Sequence, residues 1–438
     1  MTHSDASSWF KEKTVVQTDS FHRLMKLLTD SGEASTIDEA ISKFSRYGVR
    51  VVLGDDLAQS PALQMIALTV INTAARSFQG NVEIHGDSDI ELIVHGFEGL
   101  KLSDFSAWVG TSPPPHQSEH WPLIFIGKVG RQKGSSNLAP WADGWSFGIG
   151  AETPCAVDAF APACVAAGAL AVSEAFSILR KDSPYAGRRK LSFSLWSMKA
   201  DGAQPPAGTA TDLEDGLWLV GLGHLGQAYC WTLGMMRQRT PVTLVLQDVD
   251  TVTESTVSTS VLSAASDVKR MKTRTVADWM ERRGFTTRIV ERRFDSGTRV
   301  PASEPRWALF GVDNPSARRM CEGAGFTTVL DAGLGSGYDD FRALRVRGFP
   351  GSSSAAAIWA ADVTHQKVPL APAYEAMVAS GADPCGVTTL ATRSVGAPFV
   401  GCYAAALVVA ELIRRRAGEH GHNVLDLNLR TPDRLEVA

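Results

Sequence analysis

The sequence predicts an α/β protein of two lobes, in which mostly parallel sheets are flanked by helices. Three observations lead to this prediction. Residues 216–248 have the pattern of a strand, a glycine loop, a helix and a second strand. A third apolar run at residues 307–310 supplies another strand of the same sheet. The order of the apolar runs in the first half repeats that of the second half in a degenerate form, and an internal repeat affects the whole architecture.

The first half carries the weaker copy of this pattern. Strands are predicted at residues 49–53, 82–84 and 122–126, and a helix at residues 61–78. The first of these strands is followed by Gly54-Asp-Asp-Leu-Ala-Gln, where a glycine loop would be expected. We therefore predict that the first copy is inactive.

The two halves are most similar in sequence around their last long helices. Pro154-Cys155 precedes an apolar helix in the first half, as Pro384-Cys385 does in the second. We predict two fused copies of one domain, related by a pseudo-twofold axis. The first predicted unit is an N-terminal helical segment at residues 1–46, and the second is an inactive lobe at residues 47–200. A linker rich in Pro, Gly and acidic residues follows at residues 201–215, and the lobe with the glycine loop takes up residues 216–438.

Composition excludes several classes of function. A formal net charge of −4 over 438 residues gives no reason to expect a nucleic-acid partner. The N-terminus lacks the apolar core of a signal peptide, and we expect no run of the roughly 20 apolar residues that span a membrane, so we predict a cytoplasmic protein. The six cysteines include no pair separated by two residues, so we expect no structural zinc.

The glycine loop predicts a nucleotide site. Gly221, Gly223 and Gly226 follow a strand and open a helix, where glycines allow a tight bend, close approach to a phosphate and close packing of helix on strand. Asp248 ends the next strand, at about the distance from the loop where an acidic residue receives a ribose hydroxyl. This pattern alone fits dehydrogenases as well as adenylating enzymes.

Residues downstream favour ATP over a dinucleotide. Asp248 and Asp250 are followed by Lys272, and the third strand ends in Gly-Val-Asp313-Asn. A lysine acts as a point charge for phosphates, and a carboxylate holds Mg²⁺ when phosphates complete its coordination shell. Lys272 and Asp313 therefore suit a magnesium-bound triphosphate.

At these residues the sequence resembles the ubiquitin-activating enzyme superfamily, with its bacterial relatives ThiF and MoeB. The family pattern is a glycine loop, D-x-D-x-V-x-x-S-N-x-x-R, a lysine sixteen residues after the Asn, and D-N-x-x-A-R. The loop, the two acids, Val252 and Ser255 match, Lys272 stands sixteen residues after Thr256, and Asp313, Asn314, Ala317 and Arg318 match in register. The resemblance covers residues 215–416 and, more weakly, the first half.

The resemblance implies Rossmann-like lobes of the ThiF type and an ATP-dependent adenylation. By this resemblance the three loop glycines cradle phosphates, Asp248 binds the ribose, Asp250 belongs to the nucleotide site, Lys272 meets a phosphate and Asp313 holds Mg²⁺. The implied substrate is a ubiquitin-like protein or peptide with a free C-terminal carboxylate.

Two departures concern the phosphates. The family's Asn is Thr256 here and its Arg is Thr259, and both residues normally reach the ATP phosphates in the family. Removing one such donor typically costs about 3–4 kcal/mol of transition-state stabilisation. A substitute could come from the same stretch or from an arginine of the other lobe, and the candidates are Lys269, Arg270, Arg274, Arg46 and Arg50.

Cys385 is the candidate nucleophile for a thioester step, which would pass the substrate to an acceptor resembling a conjugating enzyme. It stands before the last helix, where relatives carry a cysteine-bearing loop, but Cys155 occupies the matching place in the inactive lobe, which favours a structural role for both. We expect residues 348–357 to form a mobile segment that crosses the active site. A nucleotide-binding pseudoenzyme scaffold and an NAD(P)-dependent oxidoreductase stay open as alternative functions.

Overall fold

A computed structural model describes residues 21–112, 118–129, 138–150, 155–213, 215–360 and 370–437. Its α-helices are α1 (Lys26–Asp30), α2 (Ile37–Phe44), α3 (Pro61–Ser77), α4 (Leu102–Val109), α5 (Ala161–Arg180), α6 (His224–Gly234), α7 (Glu254–Val257), α8 (Lys272–Glu281), α9 (Pro315–Arg319), α10 (Ala355–Ile358), α11 (Pro372–Ala379), α12 (Pro384–Thr392) and α13 (Pro398–Arg416). Its strands are β1 (Val49–Leu53), β2 (Val82–His85), β3 (Leu123–Ile126), β4 (Pro140–Asp143), β5 (Ser146–Ile149), β6 (Leu191–Ser194), β7 (Leu217–Val220), β8 (Thr243–Gln247), β9 (Thr286–Val290), β10 (Trp307–Phe310), β11 (Thr328–Leu334), β12 (Ala343–Phe349), β13 (Val424–Asn428) and β14 (Glu436–Val437).

The second half is built on one large sheet. In the described part of the chain its strand order is β14-β13-β12-β11-β10-β7-β8-β9. The strands from β11 to β9 run parallel, and β12 to β14 extend the sheet in antiparallel fashion. The parallel strands are apolar runs because both of their faces are covered, and every residue of β7 is buried. The strand order reverses between β7 and β10, and α/β sheets bind ligands at the carboxyl ends of the strands at such a point.

The first half has a smaller sheet with the same central order. Strand β1 lies between β2 and β3, all parallel, as β7 lies between β8 and β10. Helix α3 follows β1 as α6 follows β7. A separate antiparallel sheet, β4-β5-β6, completes this half. The predicted class, α/β with parallel sheets flanked by helices, is confirmed.

Four helices form the centre of the molecule. Helices α3, α5, α6 and α13 pack against one another, so the two halves share one apolar core. The approach of α5 to α3 is close at Gly168, where an added Cβ would lie 3.0 Å from the Ile66 carbonyl oxygen. The halves are therefore held together by buried surface as well as by the chain.

The expectation about apolar runs needs a correction at α5. This helix has a mean hydropathy of 1.6 and is long and apolar enough to cross a membrane, the single such helix among the described residues. Within the structure, 89% of its apolar window is buried, and the helix packs against the other central helices and against β4 and β5. Burial in a protein core and insertion in a membrane select the same side chains, so the pattern alone does not separate them.

The N-terminal segment packs against the second half. Residues 1–20 of the predicted helical segment lie outside the described residues, and the rest contains α1 and α2. The Thr36 hydroxyl caps α2 by accepting a hydrogen bond from the Glu39 amide, as a threonine before an apolar-periodic run predicts. Both helices contact α11, so this segment reaches the part of the second half that precedes α13.

The prediction that residues 348–357 cross the active site is wrong. Its beginning is the end of β12, which pairs with β11 and β13, and its end is α10. Leu344 and Val346 alternate with exposed or half-buried residues along β12, and this period of two is typical of a strand. None of residues 348–357 lines the cleft described below, whereas residues 389 and 392–396 do.

Candidate nucleotide site

A cleft of about 810 Å³ lies at the carboxyl ends of β7, β8 and β10. Its walls include the glycine loop after β7, the acidic residues after β8 and the turn after β10. Residues 389 and 392–396 and one residue of the N-terminal segment complete it. The strand order thus brings together stretches that lie far apart in the sequence.

The glycine loop has the geometry of a phosphate-binding turn. Gly221 has a φ of +83°, and its amide donates to the Gln247 carbonyl oxygen over 2.9 Å. A Cβ at Gly226 would lie 1.9 Å from the Gly221 carbonyl oxygen, so this glycine permits the contact between loop and helix. A Cβ at Gly223 would meet nothing within 4 Å. Gly223 therefore borders open space in the cleft at the beginning of α6.

Asp248 lines the cleft and fixes the glycine loop. Its Oδ2 accepts from the Leu222 amide at 2.6 Å, and its Oδ1 accepts from the Asp250 amide at 2.8 Å. Each carboxylate oxygen has a further lone pair that can receive a hydroxyl. The position is compatible with the predicted contact to a ribose.

Lys272 and Asp250 form an ion pair in the wall of the cleft. Lys272 Nζ lies 2.9 Å from Asp250 Oδ2, and the two side chains are 12% and 60% exposed. The Lys272 amide also donates to the Asp250 carbonyl oxygen over 3.0 Å, which fixes the beginning of α8 beside the strand end. The lysine is thus held at the cleft by the acid two residues beyond Asp248.

Asp313 is exposed in the same cleft, after β10. The next residue, Asn314, caps α9 by accepting from the Ser316 amide at 2.8 Å. Arg318 turns back to donate to the carbonyl oxygens of Val312 and Ala332. The D-N-x-x-A-R stretch therefore folds into a rigid turn that presents the Asp313 carboxylate.

A buried acid lies behind this turn. Arg318 Nε is 3.2 Å from Asp331 Oδ1, and the Asp331 side chain is 4% exposed. Burial raises the pKa of Asp331 to about 6, although the charge of Arg318 acts in the opposite direction. Sequence analysis assigns Asp331 no role, because a single acid inside an apolar strand carries no spacing signal.

The two threonines that replace the family's Asn and Arg both line the cleft. The Thr256 hydroxyl lies 2.9 Å from the Thr253 hydroxyl and takes part in the cap of α7. The Thr259 hydroxyl donates to the Thr256 carbonyl oxygen over 3.4 Å. Both hydroxyls thus have partners within the loop that forms this wall.

The predicted local substitutes for these threonines do not line the cleft. Arg270 pairs with Asp278 and Arg274 pairs with Glu291, both on the surface. Lys269 lies in a turn with a φ of +74°. The arginines that the cleft does contain are Arg23, Arg292, Arg293, Arg318 and Arg393.

Arg23 is the arginine that enters from the N-terminal segment. Its Nη1 donates to the Ser394 carbonyl oxygen over 2.8 Å, and its burial lowers the pKa of the guanidinium from the usual value. The candidates Arg46 and Arg50 are wrong for this position, because Arg50 donates to Glu119 and Trp121 carbonyl oxygens and neither arginine lines the cleft. The helical pattern predicted for the N-terminal segment does not indicate where that segment docks.

His224 stands inside the glycine loop and lines the cleft. Burial and the nearby charge of Arg23 lower the pKa of its imidazole to about 4. A Cβ at Gly401 of α13 would lie 2.4 Å from His224 Nε2, so the glycine makes room for the ring. The histidine is neutral at pH 7 and adds no charge to the cleft.

Cys385 lies at the second position of α12, and the placement of its side chain is outside the described part. Thr389, one helical turn further along α12, lines the cleft. The matching Cys155 of the first half is partly buried, and burial raises the pKa of its thiol to about 11. Cys402 is fully buried in α13, in accord with a core position.

The matching place in the first half is filled by an acid. Residues Asp55–Gln59 form a 3₁₀ helix where the second half has its glycine loop. Asp56 Oδ1 accepts from the Lys128 amide at 2.7 Å and lies 2.3 Å from where a Cβ on Gly127 would be. The Asp56 carboxylate thus already accepts a hydrogen bond from the Lys128 amide, the backbone donor that faces this loop.

Comparison with known proteins places both halves in one family. Residues 213–419 match the BilD C-terminal domain, and residues 48–195 match the BilD N-terminal domain. The bacterial E1-like protein BilD of Collimonas sp. (strain OK412) is 38% identical over 415 residues, which cover 91% of this chain and 88% of the relative.

Solved structures give weaker similarity. The crystal structure of E. coli MccB is similar with a TM-score of 0.37 and 13% identity, and the match covers 68% of this chain and 90% of that chain. The crystal structure of PaaA is similar with a TM-score of 0.32 and 14% identity, over 51% of this chain and 64% of that chain.

Proposed function

We propose that this chain, which belongs to the BilD family of bacterial E1-like proteins, uses ATP to adenylate the C-terminal carboxylate of a ubiquitin-like protein or peptide. The observation that carries the proposal is the meeting of the glycine loop, Lys272 and Asp313 at one cleft. A lysine and a second acid beside a glycine loop suit a triphosphate with magnesium better than a dinucleotide. We expect the protein to act in the cytoplasm.

The chain's residues divide the work of binding. Amides at the beginning of α6, beside the open space over Gly223, would bind phosphate oxygens. Asp248 would receive the ribose, and Lys272, held by Asp250, would meet a phosphate. Asp313 would hold Mg²⁺, which supplies positive charge against the phosphates. Since no group of three metal-binding side chains occurs among the described residues, phosphate oxygens and water would complete that shell.

The reaction needs positioning and charge neutralisation. A carboxylate oxygen of the substrate would form a bond to the α-phosphorus while the bond from that phosphorus to pyrophosphate breaks. Negative charge spreads over the phosphate oxygens, and preorganised donors stabilise it. Arg23, Lys272 and Arg318 are cations of the cleft that the structure holds in place by named contacts, and Arg318 is already paired with Asp331. Arg23 thus supplies the positive charge that Thr259 lacks.

The first half acts in this proposal as a degenerate copy of the second. Its central strand order and its helix after the first strand are those of the second half. The Asp56 carboxylate lies where a nucleotide phosphate would need free amides. We propose residues 47–200 as an inactive lobe, residues 201–215 as a linker and residues 216–438 as the active lobe.

Thioester formation on Cys385 is the second proposed step. The thiolate would attack the acyl adenylate carbonyl, forming a thioester and releasing AMP. The position of Cys385 one turn before a cleft residue supports this role, since a helix axis advances about 6 Å over four residues. An acceptor resembling a conjugating enzyme would then take the acyl group.

The test is ATP–pyrophosphate exchange with a candidate carboxylate protein, followed by mass spectrometry for an adenylate or a thioester. We expect exchange that depends on the added protein. Asp313→Ala should abolish exchange, whereas Cys385→Ala should keep exchange and lose the thioester. Equal activity of these two variants and the wild type would contradict the assignments.

One alternative has a specific observation in its favour. The loop hydroxyls of Thr256 and Thr259 are engaged with their neighbours, so the wall where the family carries an Asn and an Arg has weaker donors here. ATP binding without exchange would identify a nucleotide-binding scaffold. Binding of NAD(P)H in place of ATP would identify an oxidoreductase.

A further inference from the structure

A buried arginine of the first half contacts the wall of the cleft from behind. Arg76 lies in the last turn of α3 and is 6% exposed. Its Nη1 donates to the carbonyl oxygens of Val257 and Ser263 over 2.6 and 2.7 Å. Its Nη2 donates to the Val261 carbonyl oxygen over 3.3 Å. One guanidinium thus joins both ends and the middle of the segment at residues 257–263.

That segment forms part of the cleft. Thr259 and Ser260 line it, shortly after Thr256 of α7. Val257 ends α7 and the rest of the segment is irregular, so most of its carbonyl groups need donors other than those of a helix or a sheet. Arg76 satisfies three of them on the side away from the cleft.

Gln227 of α6 holds the same segment from the glycine loop. Its Oε1 accepts from the Leu262 amide at 2.9 Å, and its Nε2 donates to the Ser263 hydroxyl and to the Leu222 carbonyl oxygen. Gln227 is fully buried. The segment is therefore fixed between the glycine loop on one side and Arg76 on the other.

The orientation of Arg76 is itself fixed within the first half. Asn72, one turn earlier in α3, accepts from Arg76 Nε at 2.7 Å and donates to the Val261 carbonyl oxygen over 3.0 Å. Burial lowers the pKa of Arg76 to about 10, so the group is charged at pH 7. Burying a guanidinium costs more than burying an apolar side chain of similar size, so packing of the two halves alone gives no reason for it.

We propose that Arg76 is a positioning residue, through which the first half sets the phosphate-facing wall of the cleft in the second half. The inference rests on the proposed function for the identity of the ligand. Thr256, Thr259 and Ser260 would face the phosphates of ATP because their loop occupies the place of the family's phosphate-binding residues. A displaced segment would then lose contacts to the triphosphate and keep those to the nucleoside.

The test compares two buried arginines that bridge the halves. Arg76→Lys keeps the charge but replaces a planar fork with a single ammonium, which cannot hold three separated carbonyl groups. Arg342→Lys is the matched control, because Arg342 is 1% exposed and joins the second half to Ser177 and Asp182 without lining the cleft. Titration calorimetry measures the affinity of each protein for ATP and for adenosine. Circular dichroism checks that each variant is folded to the same extent as the wild type.

We expect Arg76→Lys to weaken ATP binding about tenfold, the size of one lost hydrogen bond to a charged group, with adenosine binding unchanged. Arg342→Lys should leave the ratio of the two affinities at the wild-type value. Equal weakening of ATP and adenosine by Arg76→Lys, or the same pattern in both variants, would overturn the proposal. If Arg76→Lys does not fold, Asn72→Ala replaces it, and a smaller loss in the same direction is expected.

Amide hydrogen exchange separates failure of this inference from failure of the proposed function. A wild-type protein that binds no ATP would contradict the proposed function alone. In that case faster exchange at residues 257–263 in Arg76→Lys, and not in Arg342→Lys, supports the positioning role. Unchanged exchange in that segment would overturn it.

Discussion

Two glycines of the same loop should respond in opposite ways to replacement by alanine. At Gly226 an added Cβ would lie 1.9 Å from the Gly221 carbonyl oxygen, where ordinary contacts begin at 3.4 Å. At Gly223 the added Cβ would meet nothing within 4 Å, and the φ of this residue is −82°. Gly226→Ala therefore perturbs the packing of the protein, whereas Gly223→Ala perturbs only the open space of the cleft.

The expected magnitudes follow from these distances. In Gly226→Ala the loop backbone and α6 must separate by about 1.5 Å, and such overpacking costs about 3 kcal/mol. Alanine regains about 1 kcal/mol from its higher helix propensity, so a net loss of about 2 kcal/mol in the free energy of unfolding is expected. Gly223→Ala should cost roughly 0.5 kcal/mol, since alanine is a poorer residue than glycine at the cap position.

Thermal unfolding and equilibrium binding of ATP together test this pair. A loss of 2 kcal/mol should lower the Tm by about 4–8 °C for a lobe of this size. Gly223→Ala should unfold within about 2 °C of the wild type and yet lose ATP binding, because its methyl group fills the space that the phosphates need. Wild-type affinity for ATP in Gly223→Ala would refute the placement of phosphates over this loop. Wild-type stability in Gly226→Ala would refute the packing argument.

Two further predictions concern charge at the cleft. Arg23→Ala should lower the rate of ATP–pyrophosphate exchange about 10²–10³-fold, because it removes a preorganised cation. Arg50→Ala is the control, because Arg50 lies outside the cleft, and its rate should match that of the wild type. Equal effects of the two substitutions would contradict the role of Arg23. Asp331 has a raised pKa in the folded state, so its contribution to stability is present below pH 4 and is lost, by about 3 kcal/mol, as the pH rises through 6. In denaturant titrations from pH 4 to 8, the free energy of unfolding of Asp331→Asn should therefore rise relative to that of the wild type as the pH rises. A difference between the two proteins that does not change with pH would contradict this.

The elements of the second half that surround the cleft follow from local patterns. Apolar runs marked β7, β8 and β10, and the spacing of acids and glycines marked their carboxyl ends. Parallel strands bring their carboxyl ends to one edge, so spacing along the chain became proximity in space. For this reason the glycine loop, Asp248, Lys272 and Asp313 could be predicted to share a cleft, while their chemical roles are still predictions.

Contacts between distant segments could not be predicted in this way. Arg23 reaches the cleft because the N-terminal segment docks beside α11, and no periodicity encodes a docking site. Arg76 was missed for the same reason, since its partners are more than 180 residues away. The crossing segment was misplaced because Gly348-Phe-Pro-Gly resembles a loop, although Phe349 still pairs in β12.

The shared core of α3, α5, α6 and α13 bears on how the chain is made. Synthesis at roughly 5–20 residues per second finishes α5 well before α13 leaves the ribosome, a delay on the order of ten seconds or more. During that interval a helix with the hydropathy of a membrane span has no partner for the face that α13 later covers. We therefore expect the protein to be most prone to aggregation while only its first half has been synthesised. A chaperone that shields α5 would act during that interval.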